Sequence, residues 1–486
     1  MFSSTRNCGY NQGMNPIQRR NILNVSLIAF VFTAAAALTG FDQEAGQAAA
    51  KPQATLESRI DSVMAPVFKT GTPGAAVLVM KDGKPLLRKA YGTADLELGV
   101  AMTPEHVFRI GSMTKQFTAV AVLMLLEQGK LALDDPLTKF LPDYPVQGRT
   151  ITVEHLLTHT SGIKSITDLK EFQPLRRKDL PVAELIAVFK DKPFDFAPGE
   201  KWAYNNSGYV LLGAIIEKIS GTSYEAFMQK NVFDPLGLKN THYDSATRII
   251  PRRISGYGPG PSNGFANANY LSMTLPYAAG SLVSTVDDLA AWNEALLAGK
   301  LIKRETLEKA WTAYKLKDGS SSDYGYGWGI GSFEGQRKIA HGGGIDGFTS
   351  DGVLLPEERL IVIILTNSTL PARTPGLFTT KIIGAALGKP IVEPKELKID
   401  PKAFDQYAGD YELQPGFVIK FFRQGDRYFT QATGQGAAEI FAESEIKFFL
   451  KVVDGSVEFI KDASGKVTGM VLNQGGRSMP AKRIEK

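Results

Sequence analysis

Ser112 and Lys115 stand three residues apart in Arg109-Ile-Gly-Ser-Met-Thr-Lys-Gln-Phe117, at the head of an apolar run that continues to Leu126. On a helix this spacing places both side chains on one face of the first turn. An amine held there can take the proton of the hydroxyl and convert a weak nucleophile into a strong one. The spacing alone selects nothing, because about two chance matches to Ser-x-x-Lys are expected in a chain of this length. Two further matches occur, Ser161 with Lys164 and Ser444 with Lys447.

The surrounding elements separate the three pairs. The helix expected from Ser112 to about Glu127 is apolar on nearly every side apart from Thr118 and closes at Gly129, the pattern of a helix buried between layers. Ser112 would head it, where unpaired N–H groups and the helix dipole favour developing negative charge. Ser161 lies instead in a loop composition, Thr158-His-Thr-Ser-Gly162, and Ser444 in a strand-rich tail between Glu443 and Glu445. Neither setting fixes a lysine over the hydroxyl as a helix turn does.

Around this helix the chain reads as α+β. A helical pattern over 56–68 is followed by two short strands, 74–80 and 85–91, joined by an Asp82-Gly83 turn. Helical patterns at 180–189 and 209–220 flank a loop on which Tyr204 and Asn206, two apart, can point into one cleft. Ser284 or Thr285 caps a further helix. Glycine-rich edges at 324–330 and 338–344 precede an apolar strand at 360–365. With the helices between an early hairpin and late strands, the sheet must pair its first and last strands, with the central helix against it.

At 486 residues, 43% apolar and 22% charged, the chain has the composition of a globular protein of two or three domains. A net charge of +5 without a basic stripe excludes nucleic acid as a partner. The single cysteine, Cys8, excludes an intramolecular disulfide and a cysteine metal cluster. Residues 1–50 read as an export signal: Arg19-Arg20, an apolar run over 22–38, and Ala48-Ala49-Ala50 as a cleavage site. The run is near the lower length for a span, so the alternative is an uncleaved anchor, the only membrane contact expected. A lipoprotein-like Leu38-Thr-Gly40 is followed by Phe41 where a lipid-bearing cysteine would stand, so no lipid anchor is expected. The protein is expected in the periplasm or outside the cell. Residues 51–388 form the main domain, and the three prolines Pro390, Pro394 and Pro401 mark a linker at 389–402. Residues 403–486 read as about eight short strands, a small all-β barrel.

Three other patterns suggest different chemistry. Gly260-Pro-Ser262-Asn-Gly264 fits a nucleophile elbow and His341-Gly-Gly-Gly344 a lipase oxyanion motif, but in that fold the oxyanion loop precedes the nucleophile, and no strand leads into Ser262. His155 and His159 are four apart but lack the glutamate of a zinc helix, so structural roles are expected for both.

The motifs together resemble the serine β-lactamase and penicillin-binding protein superfamily, in its class C-like branch with D-alanyl-D-alanine carboxypeptidases, D-aminopeptidases and esterases. Ser112-Met-Thr-Lys115 matches the first motif, Tyr204-Asn-Asn206 the second, and His341-Gly-Gly343 the third, in the family's order across residues 56–387. The resemblance implies a Ser112 acyl-enzyme needing neither metal nor cofactor, with Lys115 and Tyr204 as alternative or coupled bases. It implies substrate contacts from Asn206, His341 and Gly343, and an oxyanion hole from the N–H groups of Ser112 and Gly344. The tail resembles the lipocalin-like barrel of some members, which would restrict the cleft or serve as a stabilising or binding accessory. Where many relatives hold a substrate carboxylate with lysine, this chain has His341, and Gly342 replaces a hydroxyl residue. A peptidase or esterase acting on a peptide or small molecule is therefore expected ahead of a β-lactamase. A catalytically silent binding protein on the same fold is the rival reading.

Overall fold

The structure is a computed structural model that describes residues 54–391, 394–414, 416–453, 455–474 and 477–484. The expected export signal lies outside the described residues. Among those described, no helix is long and apolar enough to cross a membrane.

Six antiparallel strands form the main sheet: β1 (Ala75–Lys81), β2 (Lys84–Tyr91), β3 (Gly329–Phe333), β4 (Gln336–Ile345), β5 (Phe348–Leu355) and β6 (Leu360–Thr366). Their order is β3-β4-β5-β6-β1-β2, so the first strand of the chain pairs with the last of the domain, Val77 opposite Ile364. Burial on both faces explains why β1 and β6 read as continuous apolar runs. Val77, Val79, Val362 and Ile364 face one core with helix α1 (Leu56–Met64) and a late helix, Gly376–Ala386. Ala76, Leu78, Ile361 and Ile363 face the other, larger core.

That larger core is built round α2 (Thr114–Glu127), whose residues from Thr114 to Leu123 are all buried. Phe117 stacks on Trp292 at 4.0 Å, and the Trp292 indole donates to Gln116. Thr118, the polar exception in the sequence, is bonded to the Ala278 carbonyl and the Tyr224 hydroxyl, both at 2.7 Å, so its burial leaves no unmet donor. Helix α4 (Asn206–Ser220) packs beside it, and short α3 (Val153–Leu157) packs on α4. Helix α4 starts three residues before the apolar pattern does, because Asn205 caps it by accepting the Gly208 N–H at 2.8 Å. The expected cap at Thr285 accepts the Asp288 N–H at 3.2 Å.

The C-terminal region closes into an eight-stranded barrel over Gly409–Gln414, Phe417–Gln424, Arg427–Ala432, Ala438–Ala442, Lys447–Leu450, Gly455–Lys461, Val467–Gln474 and Arg477–Arg483. Its interior is filled by aromatic rings, with Tyr407 stacked on Phe459 at 4.4 Å and Phe404 on Tyr428 at 4.6 Å. The barrel thus has a packed aromatic core of its own.

Candidate active site

Ser112 sits in a single 3-10 turn, Gly111–Met113, that runs directly into α2 at Thr114. The helix thus begins two residues later than the spacing suggests, because Gly111 takes φ +51° to bring the chain in. A side chain at Gly111 would also come within 3.1 Å of the Gly344 nitrogen, so glycine here serves both the turn and the approach of β4. Lys115, on the first turn of α2, is fully buried. Its Nζ lies 3.1 Å from Ser112 Oγ, 2.8 Å from Asn206 Oδ1 and 2.9 Å from the Ala279 carbonyl.

Burial, with no carboxylate among its hydrogen-bond partners, drives the Lys115 pKa well below the usual lysine range. The Tyr204 and Tyr209 rings lie 4.7 and 5.4 Å from Nζ and favour the cation, but such contacts offset only a small part of the desolvation of a fully buried ammonium. In the neutral amine the geometry assigns each hydrogen. Asn206 Oδ1 and the Ala279 carbonyl can only accept, so they take two N–H bonds, and the lone pair is left for the Ser112 proton.

Tyr204 stands on the loop before α4, with its phenol near enough to the Ser112 hydroxyl to feel it electrostatically. The residue is 37% exposed, but its phenol end is buried, which raises its pKa even against the neighbouring Ser112 hydroxyl. Asn206 opens α4 and also donates to Thr167 Oγ1 at 3.1 Å. The loop is fixed by His159, which has φ +59° and is fully enclosed. Its carbonyl accepts the Ala203 N–H at 3.0 Å, its Nδ1 accepts the Asn205 N–H at 3.1 Å, and its ring packs 4.4 Å from that of Tyr204. His159 therefore brackets the tyrosine from both sides. Its Thr-His-Thr-Ser-Gly setting reads as an ordinary loop, and only the structure reveals this task. His155, by contrast, completes a capping box with Thr152 at the head of α3.

His341 and Gly342 to Gly344 lie on β4, a regular strand and not a loop. Burial pushes the His341 pKa down to about 3. Nδ1 donates to the Gly342 carbonyl at 2.5 Å, and Nε2 accepts from the Tyr324 hydroxyl at 2.8 Å. His341, expected to contact substrate, therefore offers no fixed positive charge: desolvation disfavours the protonated ring, and both nitrogens already have partners. Gly343, expected to touch substrate, does not line the cleft. A side chain there would meet the Ile110 carbonyl at 2.0 Å and Ser350 Oγ at 2.4 Å, so Gly343 provides clearance between β4 and the nucleophile turn. Gly344 does line the cleft with Ser112 and Asn206. A two-residue turn, Asp346-Gly347, joins Ile345 to Phe348. In such hairpins the flanking pair exchanges both ladder bonds, so the groups of Gly344 point away from β5 and toward the nucleophile turn. Strand β3 pairs β4 only from Gln336 to Ala340, so this stretch of edge faces the cleft.

The cleft has a volume of about 170 Å³ and an apolar wall that includes Ile166, Phe172, Leu271, Leu275 and Ile345. Arg176 and Asp346, ion-paired to each other, also line it, and neither residue stands out in the sequence. Among the described residues no barrel side chain lines this cleft. The barrel meets the main domain on the opposite face of the sheet, where Val453 and Gln474 share a cavity with Asp351 and Thr379. The rival serines stand elsewhere. Lys164 is paired with Asp195 at 2.8 Å and Lys447 with Glu443 at 2.9 Å, so neither amine serves its serine. Ser262 lies in a separate 3-10 turn, Pro261–Asn263.

Comparison with known proteins agrees with this geometry. The family described as Beta-lactamase matches residues 53–382, and a domain of unknown function, DUF3471, matches residues 393–483. Penicillin-binding protein 4* of Bacillus subtilis (strain 168) is 29% identical over 411 residues, 79% of this chain and 89% of that protein. The octameric penicillin-binding protein homologue from Pyrococcus abyssi is 30% identical with a TM-score of 0.62, over 88% of this chain and 99% of that one. A D-stereospecific amidohydrolase from Streptomyces sp. is 27% identical with a TM-score of 0.56, over 64% of this chain and 94% of that one.

Proposed function

Since the chain belongs to the β-lactamase family of serine hydrolases, we propose that it cleaves an amide or ester through an acyl-enzyme on Ser112, as a peptidase, amidase or esterase, after export from the cytoplasm. The observation that carries this reading is the fully buried Lys115 amine, 3.1 Å from Ser112 Oγ with its other two partners pure acceptors.

Lys115 takes the Ser112 proton as Oγ bonds to the substrate carbonyl carbon. The oxyanion is met by the Ser112 and Gly344 N–H groups, and each such donor contributes about 3 kcal/mol in comparable sites. As the bond to the leaving nitrogen or oxygen breaks, Tyr204 supplies that atom with the phenol proton. The resulting tyrosinate and lysinium are adjacent and neutralise each other. In deacylation, water attacks the acyl carbon and gives its proton to Tyr204, while Lys115 returns its own to Ser112. The cycle closes with atoms and charges balanced.

The neutral His341 supports a leaving group without a carboxylate and so favours amides and esters over β-lactams. The likeness to a D-stereospecific amidohydrolase supports D-amino-acid amides and esters in particular. A panel of D- and L-amino-acid amides, p-nitrophenyl esters, D-Ala-D-Ala peptides and nitrocefin tests this. Amide and ester turnover well above that of nitrocefin is expected; preference for nitrocefin overturns it. Export is tested by the N-terminal sequence of the protein recovered from the periplasm or medium, which should begin near residue 51.

A further inference from the structure

The acyl side of the cleft has an apolar wall, with Ile166, Phe172, Leu271, Leu275 and Ile345, and one ion pair, Arg176 with Asp346. Both charged side chains are about one-fifth exposed, so the pair is only partly screened by water. Asp346 follows Ile345 on the turn directly beyond Gly344, the residue beside the nucleophile. Arg176 faces it from the loop after Phe172–Leu175, and that loop is tied down where the Arg176 carbonyl accepts the Ser272 N–H at 2.7 Å.

Only Asp346 Oδ1 bonds to Arg176; Oδ2 has no protein partner among the described residues. A carboxylate has room for about four hydrogen bonds, so Oδ2 is an unspent acceptor in the cleft wall. The rest of the polar lining already supplies donors for the substrate carbonyl, through Ser112 and Gly344. What Asp346 adds is an acceptor. An N–H group can bond Oδ2 without breaking the ion pair, whereas a substrate carboxylate drawn to Arg176 would compete with Asp346 and leave two anions side by side.

We propose that Asp346, held in place by Arg176, accepts a hydrogen bond from the nitrogen on the α-carbon of the acyl group, so that the cleft takes apolar α-amino-acyl substrates. This rests on the Ser112 acyl-enzyme reading. The same chemistry is offered by a free α-ammonium and by an N-acylated α-amide, and the experiment separates the two.

The test compares kcat/KM for p-nitroanilides of phenylalanine, N-acetylphenylalanine, 3-phenylpropionic acid and, as its mono-anilide, benzylmalonic acid, the last bearing a carboxylate in place of the nitrogen. A missing hydrogen bond at a partly buried acceptor corresponds to about tenfold or more in rate, so the wild type should favour one nitrogen-bearing substrate over the 3-phenylpropionyl compound by about that factor. In Asp346→Leu the ratio should fall toward one. In Asp346→Asn, which keeps an acceptor oxygen, it should survive for the N-acetyl compound and fall for the ammonium. Fluorophosphonate labelling of Ser112 at the wild-type rate certifies each variant as folded and armed. A wild type that labels at Ser112 but shows no preference for nitrogen, or prefers the carboxylate, overturns the assignment of Asp346 alone. Failure to label Ser112 in the wild type overturns the acyl-enzyme reading and this subsite with it.

Discussion

Lys115 Nζ lies 3.1 Å from Ser112 Oγ, and its two other partners, Asn206 Oδ1 and the Ala279 carbonyl, are pure acceptors. Both N–H bonds of a neutral amine are thereby spent away from the serine. Lys115→Met should lower kcat/KM on an activated ester by about 10²- to 10⁴-fold, the usual range for a lost general base. Steady-state kinetics at pH 8 measure it, and a loss under tenfold contradicts the assignment.

The same base sets the pH dependence. Lys115 works only when deprotonated, and its pKa lies well below that of free lysine, so activity should be lost as pH falls through that lowered value and be flat above it. Tyr204 is shifted upward and should impose no alkaline limb below about pH 10. A rate that climbs steadily toward pH 10.5 would mean that the lysine is unperturbed.

His341 should appear in stability and not in substrate charge selection. Its pKa is about 3 in the fold and 6.5 in the unfolded chain, so below pH 6.5 the unfolded state binds a proton that the fold refuses. Stability therefore falls with falling pH across that window, by up to about 1.4 kcal/mol per pH unit. His341→Gln removes this dependence, and denaturant melts at pH 7 and pH 5 should show the advantage of wild type over variant shrinking by about 2 kcal/mol. A constant difference contradicts a buried, neutral ring.

The glycines of β4 separate cleanly. A methyl at Gly343 would press 2.0 Å from the Ile110 carbonyl, whereas one at Gly344 meets nothing within 4 Å. Gly343→Ala should cost about 1–3 kcal/mol and slow Ser112 labelling as the strand is pushed off the nucleophile turn. Gly344→Ala should stay within about 0.5 kcal/mol of wild type. Equal thermal shifts would contradict the packing.

His159 acts through Tyr204. His159→Leu should reduce kcat at least tenfold with KM little changed, and His159→Asn, which tolerates positive φ and keeps an acceptor for the Asn205 N–H, should recover part of it. A loss seen in KM alone would make the residue a substrate contact instead.

Periodicity made the frame legible, because β1, β6 and α2 carry apolar patterns that burial on one or more sides demands. Ser112 and Lys115 are singled out by the buried apolar helix they head, whereas Tyr204 and Asn206 become legible only through their match to a family motif in the right order. The barrel followed from short alternating runs between turns. What the sequence hid depends on tertiary proximity. His341 reads as a substrate contact until the Tyr324 hydroxyl and its burial are known, and Gly343 reads as one until the Ile110 carbonyl is placed beside it. Arg176 and Asp346, 170 positions apart, have no local pattern to announce their pairing.

The central claim is that Ser112 is the nucleophile. Incubation with a fluorophosphonate probe followed by peptide mass mapping tests it most directly. One probe should be bound per chain, on the peptide containing Ser112, with labelling abolished in Ser112→Ala together with ester hydrolysis. Label on another serine, or full hydrolysis by Ser112→Ala, would contradict it.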